Sequence, residues 1–276
     1  MSEEPIVVGV DGSPESRAAV RWAAREAALH GRELRILTAV PVRDDARLTE
    51  RATDLLTECR DLAQATARGV RADTRLVPAG PVDALVAAAE TAVMLVVGRR
   101  PRGPLADLVL GSVTREVTAR APGVTVVVRA SREERTGGQV VAGVDGSASS
   151  AHALDVALEE AHLRGVGLNV VYAEAGWMPP HSSELVPAYT PEVEMDAARD
   201  RLDHWLKPRI DRWPGVPVHR RVLPGAAAVV LTDASAEAAL LVIGAQGHGE
   251  AGTLLGSVSH GVIHHATCPV ALVRPR

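Results

Sequence analysis

Phenylalanine is absent from this chain of 276 residues, and the other aromatics amount to four Trp and two Tyr. That leaves little with which to stack bases. A formal net charge of −4, with acidic and basic residues interspersed, provides no basic footprint for a phosphate backbone. Nucleic acid is therefore excluded as a partner. Lysine occurs once, as Lys207 after Leu206, so no Gly-Lys-Ser/Thr phosphate loop can be written anywhere in the chain. Cys59 and Cys268 are far apart and form no CxxC pair, which points to a reducing compartment rather than a disulfide framework. No apolar run approaches the roughly 20 residues a membrane helix needs. The acidic start, Met1 to Pro5, leads straight into a strand-like run without the shape of a signal peptide. A cytoplasmic protein with no membrane partner is expected.

What the chain has in quantity is Ala, Val and Leu, arranged twice over. Ile6-Val-Val-Gly9-Val-Asp11-Gly-Ser13 returns as Val140-Val-Ala-Gly143-Val-Asp145-Gly-Ser147. Leu110-Gly111-Ser112-Val113 returns as Leu255-Gly256-Ser257-Val258. Such duplication predicts two similar domains, 1–130 and 139–276, joined by the charged, glycine-ended linker 131–138. Within each half, short Val-rich runs alternate with longer Ala-rich ones. In the first half, strands are expected at Pro5–Val10, Leu34–Val40, Val70–Val77, Val93–Gly98 and Val124–Arg129. Ser13 and Pro14 open the first helix, Gly31 ends it, and further helices are expected near 44–68, 81–91 and 112–121. The second half repeats this with strands near 140–144, 168–173, 216–223, 240–244 and 269–274. Continuous apolar strands separated by helices predict an α/β fold: two tandem doubly wound domains, each a five-stranded, mainly parallel sheet with helices on both faces.

In such a fold, ligands settle beyond the carboxyl ends of the strands where strand order reverses. Asp11 and Asp145 stand at the end of each first strand, where they can either meet a ligand or cap the next turn as Asx residues. After each fourth strand comes a glycine stretch: Gly98-Arg99-Arg100-Pro101 through Gly111-Ser112, and Gly244-Ala-Gln-Gly247 through Gly256-Ser257. Glycines there are expected to take positive φ and form an anion-binding nest. The Gly-Ser that opens the following helix offers N–H groups at the positive end of a dipole. Gly247-His-Gly249-Glu-Ala-Gly252 matches GxGxxG but follows the fourth strand, with no acidic residue after Glu250. It is not read as a dinucleotide fingerprint.

These residues together resemble the universal stress protein family, whose members carry an opening strand ending in Asp and a G-x₂-G-x₉-G-[ST] signature after the fourth strand. The resemblance covers essentially the whole chain, once per half, and the closing phrases Leu255–Ser259 and His264–Val270 resemble tandem forms from actinobacteria. It implies binding of an adenine nucleotide, ATP with or without Mg²⁺, in a stress-response sensor or regulator. The implied site is Gly9, Asp11, Val40, Gly98, Arg100, Gly111, Ser112 and Val113 in the first half. In the second half it is Gly143, Asp145, Ala173, Gly244, Gly247, Gly256, Ser257 and Val258. The resemblance further implies that the last strands of the halves pair with one another and that the chain forms a homodimer. Two departures stand out. Pro101 replaces the second glycine, with Arg99, Arg100 and Arg102 beside it as compensating cations, and eight residues rather than nine separate Gly247 from Gly256. These departures keep open a scaffold of the same fold that binds no nucleotide and acts through dimer or partner contacts.

No Ser-His-Asp, Cys-His, His-x-Gly-His or Ser-Gly-Gly arrangement occurs, so no catalytic residue is assigned and turnover is at most a slow ATPase. His260 and His264, four apart, lack a third ligand for a metal, and none is assigned. The segment from Glu174 to Tyr189, which has no counterpart in the first half, is expected as a lid, an interface or an ordered surface loop.

Overall fold

A computed structural model describes residues 4–41, 46–99, 111–129, 138–174, 191–247 and 255–275, without the side chains of 191–194. The first half runs β1 (Ile6–Gly9), α1 (Pro14–Leu29), β2 (Leu34–Ala39), α2 (Ala46–Thr66), β3 (Ala72–Val77), α3 (Pro81–Ala89), β4 (Met94–Gly98), α4 (Ser112–Arg120) and β5 (Gly123–Val128). The second runs β6 (Gln139–Val144), α5 (Ala148–Arg164), β7 (Leu168–Glu174), α6 (Pro191–Ile210), β8 (Val218–Pro224), α7 (Ala227–Ala234), β9 (Ala238–Gly244), α8 (Ser257–His265) and β10 (Val270–Arg274). The expected strands are all present; Val70 and Val93 fall just outside β3 and β4. Apart from Gly138, the proposed linker lies outside the described residues, as do Arg100 to Leu110 and the second-half segment 175–190.

Ten strands form one sheet in the order β3-β2-β1-β4-β5-β10-β9-β6-β7-β8. All pairings are parallel except the central one, where β5 runs antiparallel to β10 from Val127↔Val270 to Gly123↔Arg274. The apolar edge at Val124–Val128 is thus covered by the matching edge of the other half, which removes an aggregation-prone open strand. Because this seam is antiparallel, the carboxyl ends of β1–β5 and of β6–β10 point to opposite ends of the molecule.

Strand alternation sorts the core. Ile6 and Val8 face one side with α1, α2, α5 and α6, whereas Val7 faces the other with α3, α4, α7 and α8. Both layers bury their faces on the same sheet, which is why β1 and β6 read as unbroken apolar runs. Order reverses between β1 and β4 in one half and between β6 and β9 in the other. A crevice opens at each of these points.

Candidate functional site

The first crevice is built around Asp11-Gly12-Ser13. Asp11 Oδ1 accepts the Ser13 N–H at 3.0 Å, and Gly12 takes φ +80°, a conformation that disfavours any side chain. Ser13 then caps α1, its Oγ accepting the Ser16 N–H at 3.1 Å, with Pro14 in the first turn. Arg17 donates to the Gly12 carbonyl at 2.6 Å and holds the turn from inside the helix. The second half repeats the device: Asp145 Oδ1 accepts from Ser147 at 2.9 Å, Gly146 has φ +84°, and Ser147 Oγ caps Ser150 at 3.1 Å. Each Asp therefore makes an Asx turn and also lines its crevice.

The site glycines are explained differently from the nest expected of them. Positive φ falls on Gly12 and Gly146, not on Gly98, Gly244, Gly247 or Gly256. Gly98 is small because α1 begins on top of it: a Cβ would lie 2.6 Å from the Glu15 carbonyl carbon and 2.9 Å from the Ser16 nitrogen. Gly244 meets the start of α5 in the same way, with Ser149 Oγ 2.6 Å from the Cβ position. Gly9 and Gly143 leave room for the Leu85 and Leu231 side chains. Gly247 approaches Asp145, whose Oδ2 would be 2.9 Å from a Cβ. Close approach by neighbouring atoms, not a left-handed turn, is what Gly9, Gly98, Gly143, Gly244 and Gly247 require.

Opposite the Asp turns stand the first turns of α4 and α8. Gly111 and Gly256 occupy the N-cap positions, and neither helix has a side-chain cap. In α4 the first intrahelical bond runs from the Arg115 N–H to the Gly111 carbonyl at 2.9 Å, so the N–H groups of Ser112, Val113 and Thr114 precede the helical ladder. The starts of α1 and α5, by contrast, are closed by Ser13 and Ser147. Two hydroxyl bonds fix the orientation of the uncapped ends: Thr114 Oγ1 donates to the Gly98 carbonyl at 3.0 Å, and Ser259 Oγ to the Gly244 carbonyl at 2.8 Å. The positive end of each helix dipole is thereby aimed across the crevice.

The first crevice has a volume of 440 Å³ and the second 320 Å³, both within the range of small-ligand sites. Gly9, Asp11, Gly98, Gly111, Ser112 and Val113 line the first; Gly143, Asp145, Gly244, Gly247, Gly256, Ser257 and Val258 line the second. Val40 and Ala173 line neither. Val40 lies one step past the wall that Leu37, Thr38 and Ala39 form, and its N–H extends the β2–β3 ladder to Val77 at 3.0 Å. Ala173 is paired in register with Leu223 within the sheet. Arg100 and Arg102 lie outside the described residues. Arg99 is not a phosphate-facing cation: it is buried and outside the crevice lining, and its charge reaches His264 on α8. Burial first, then His260 and Arg99, hold the His264 imidazole below its ordinary pKa.

Sequence reasoning missed Arg51, Ala52 and Leu55 on α2, Pro81 and Leu85 on α3, and Gln246 and Leu231 in the second half. The one available signal was the amphipathic face of α2, which places Ala52 and Leu55 beside the sheet ends. Among the described residues, no helix is long and apolar enough to cross a membrane.

The family model described as the universal stress protein family matches residues 3–129 and again 138–274. A universal stress protein of Mycolicibacterium smegmatis is 35% identical over 100% of this chain and 98% of its own. The crystal structure of a universal stress protein from Archaeoglobus fulgidus covers 99% of both chains with a TM-score of 0.76 at 18% identity, a likeness of fold. A universal stress protein solved in complex with cAMP is 33% identical and covers 48% of this chain and 100% of its own, with a TM-score of 0.40. Two matched units and a mycobacterial relative aligned end to end lead to one conclusion: this chain belongs to the universal stress protein family, in its tandem form.

Proposed function

We propose that the chain binds an adenine nucleotide, ATP with or without Mg²⁺, in the crevices of its two halves and acts as a cytoplasmic regulator in the stress response. The observation that carries this reading is the pairing, in each half, of an uncapped helix start with an Asp turn across a small-ligand crevice. Main-chain N–H groups of Ser112, Val113 and Thr114, or of Ser257, Val258 and Ser259, suit phosphate oxygens. Leu37, Ala39, Leu55, Pro81 and Leu85 give the first crevice an apolar wall for a base, and Arg51 brings a cation to its rim. Among the described residues the crevice carboxylates Asp11 and Asp145 are engaged in their turns, so a bound nucleotide is expected to be held rather than turned over.

A second reading, a scaffold without nucleotide, draws support from packing, which accounts for Gly9, Gly98, Gly143 and Gly244 without any ligand. Purified protein should release adenine nucleotide on denaturation, or take up ATP in isothermal titration. If it does neither, the scaffold reading stands. A homodimer is expected in either case, and light scattering on the eluting protein measures it directly.

A further inference from the structure

Where the two halves meet, α1 and α5 end against each other, and four charged side chains close the seam. Glu26 and His30 come from α1 and its cap; Glu160 and Arg164 come from α5. Glu26 is 5% exposed and Glu160 2%, among the few charged residues buried in this molecule. Arg164 bridges both carboxylates, donating from Nη2 to Glu26 Oε1 at 2.6 Å and from Nη1 to Glu160 Oε2. His30 Nε2 lies 3.1 Å from Glu160 Oε1 and 3.8 Å from Glu26 Oε2. Beneath them the strands present Val124, Val126, Ala271 and Val273. Among the described residues, Arg25 on the same helix also feels the charge of Glu26.

Charge counting shows what this cluster lacks. Two carboxylates and one guanidinium leave a net −1 in an apolar seam, which is costly unless one proton is added. Two places can take it, the His30 ring and the Glu26 carboxyl. Glu26 Oε2 is buried without a hydrogen-bond partner, which suits a carboxyl that holds a proton. Glu26, His30 and Glu160 each bring a ligand atom within 4.8 Å of the others, a spacing that also suits a metal ion. The guanidinium of Arg164 already stands between the carboxylates, however, so the cation of this cluster is the chain's own.

We propose that Glu26, His30, Glu160 and Arg164 form a proton-operated latch between the halves, closed when His30 or Glu26 carries one proton and loosened when that proton leaves. The titration directions agree with this geometry. Burial pushes the Glu26 carboxyl up to about 7. Burial opposes charge on His30, but Glu160 and Glu26 outweigh it and raise the imidazole. Glu160 is lowered: burial acts against its charge, and the bond to His30 and the charge of Arg164 overcome it. Both groups with raised values bind protons more tightly when folded, so the seam is firmest in mild acid and weakens as pH rises through about 7. The latch also lies at the far end of the helices whose starts line the crevices, α1 at Ser13 and Ser16 and α5 at Ser150. A shift at the seam therefore has a rigid route of roughly 24 Å to each crevice.

Hydrogen exchange, corrected for intrinsic rates, tests the latch on the full chain between pH 5.5 and pH 8. In the wild type, protection of β5 and β10 should fall more than tenfold relative to β1 and β2 as pH rises. In Glu26→Gln, which keeps the shape of the protonated side chain, the fall should be clearly smaller, with only the His30 contribution left. The proposal is overturned by an equal pH response in both proteins, by a loss shared equally with β1 and β2, or by no loss in the wild type. Should the variant not fold, the His30 ring resonances of the wild type decide the matter. Titration above the ordinary range, coupled to a second group, supports the latch, and a single midpoint like that of an exposed histidine overturns it.

Discussion

Replacing Gly98 with alanine tests the claim that this glycine serves packing between β4 and α1. The new methyl would lie 2.6 Å from the Glu15 carbonyl carbon, 2.7 Å from its oxygen and 2.9 Å from the Ser16 nitrogen. All three are backbone atoms at the start of a helix anchored by the Ser13 cap, so no rotamer change relieves the contact. Relief requires α1 or the end of β4 to move by something like 1 Å, at an overpacking cost of roughly 1–3 kcal/mol. For a chain of this size that is a fall of about 3–10 °C in melting temperature. Gly244→Ala should cost less, because its nearest contact is the Ser149 hydroxyl at 2.6 Å while the Ser149 backbone carbon is 3.1 Å away. Gly256→Ala should cost least, under about 1 kcal/mol, since its methyl meets Ala245 O at an ordinary 3.5 Å and its φ is −63°. Thermal and urea unfolding of the three variants would check the order. A Gly98→Ala protein as stable as the wild type, or less perturbed than Gly256→Ala, would refute the packing explanation.

Other consequences follow from single contacts. Ser147→Ala removes the α5 cap and should cost about 1 kcal/mol in urea unfolding, with Ser13→Ala matching it in α1. Cys59 and Cys268 are buried, and burial pushes their thiols up to about 11 and about 12. Neither should react quickly with a thiol reagent at pH 8 until the protein is unfolded. Global stability should decline as pH rises from about 4.5 to about 7, because the native state binds the Glu26 proton more tightly than the unfolded chain does. The raised His30 adds to the loss as pH rises past its ordinary value of 6.5. The Glu26 contribution is at most roughly 3 kcal/mol, and Glu26→Gln should flatten that part of the profile. Lowered Glu160 acts in the opposite sense, adding stability that is lost in acid below its ordinary range.

The strands, the Ser13-Pro14 helix start and the Gly31 stop were legible because each is a local signal: an apolar run, a capping hydroxyl, a residue at φ +63°. The apolar run Val124–Val128 signalled an edge that needs covering, and the resemblance implied that the last strand of the other half covers it, as β10 does. What distant segments bring together was harder to read. Gly98 looks like a ligand cradle in sequence, yet the space it leaves is filled by α1, which begins 84 positions earlier at Pro14. Val40 and Ala173 follow from the resemblance alone, whereas the first crevice takes Leu37, Thr38 and Ala39 from β2 and the second takes no described residue of β7. Arg99 reads as one of three loop cations but is buried, with its charge felt by His264. The latch gave no local signal at all, because Glu26 and Glu160 are 134 positions apart, the same offset that separates Asp11 from Asp145. The internal repeat predicts that these residues correspond, but not that they face each other.

The proposed function rests on main-chain N–H groups at the starts of α4 and α8 holding a polyphosphate. Ser112→Pro with Ser257→Pro removes one such N–H from each half at a helix position where proline is well tolerated. Gly111 (ψ 147°) and Gly256 (ψ 154°) already have the extended backbone that proline asks of its predecessor. Equilibrium dialysis of ATP against this protein, against Ser112→Ala with Ser257→Ala, and against the wild type isolates the amide. Wild-type uptake is expected, with a modest loss for the alanine pair and a drop of about tenfold or more for the proline pair at unchanged stability. Wild-type protein that takes up no ATP, or a proline pair that binds as tightly as the wild type, would contradict that function.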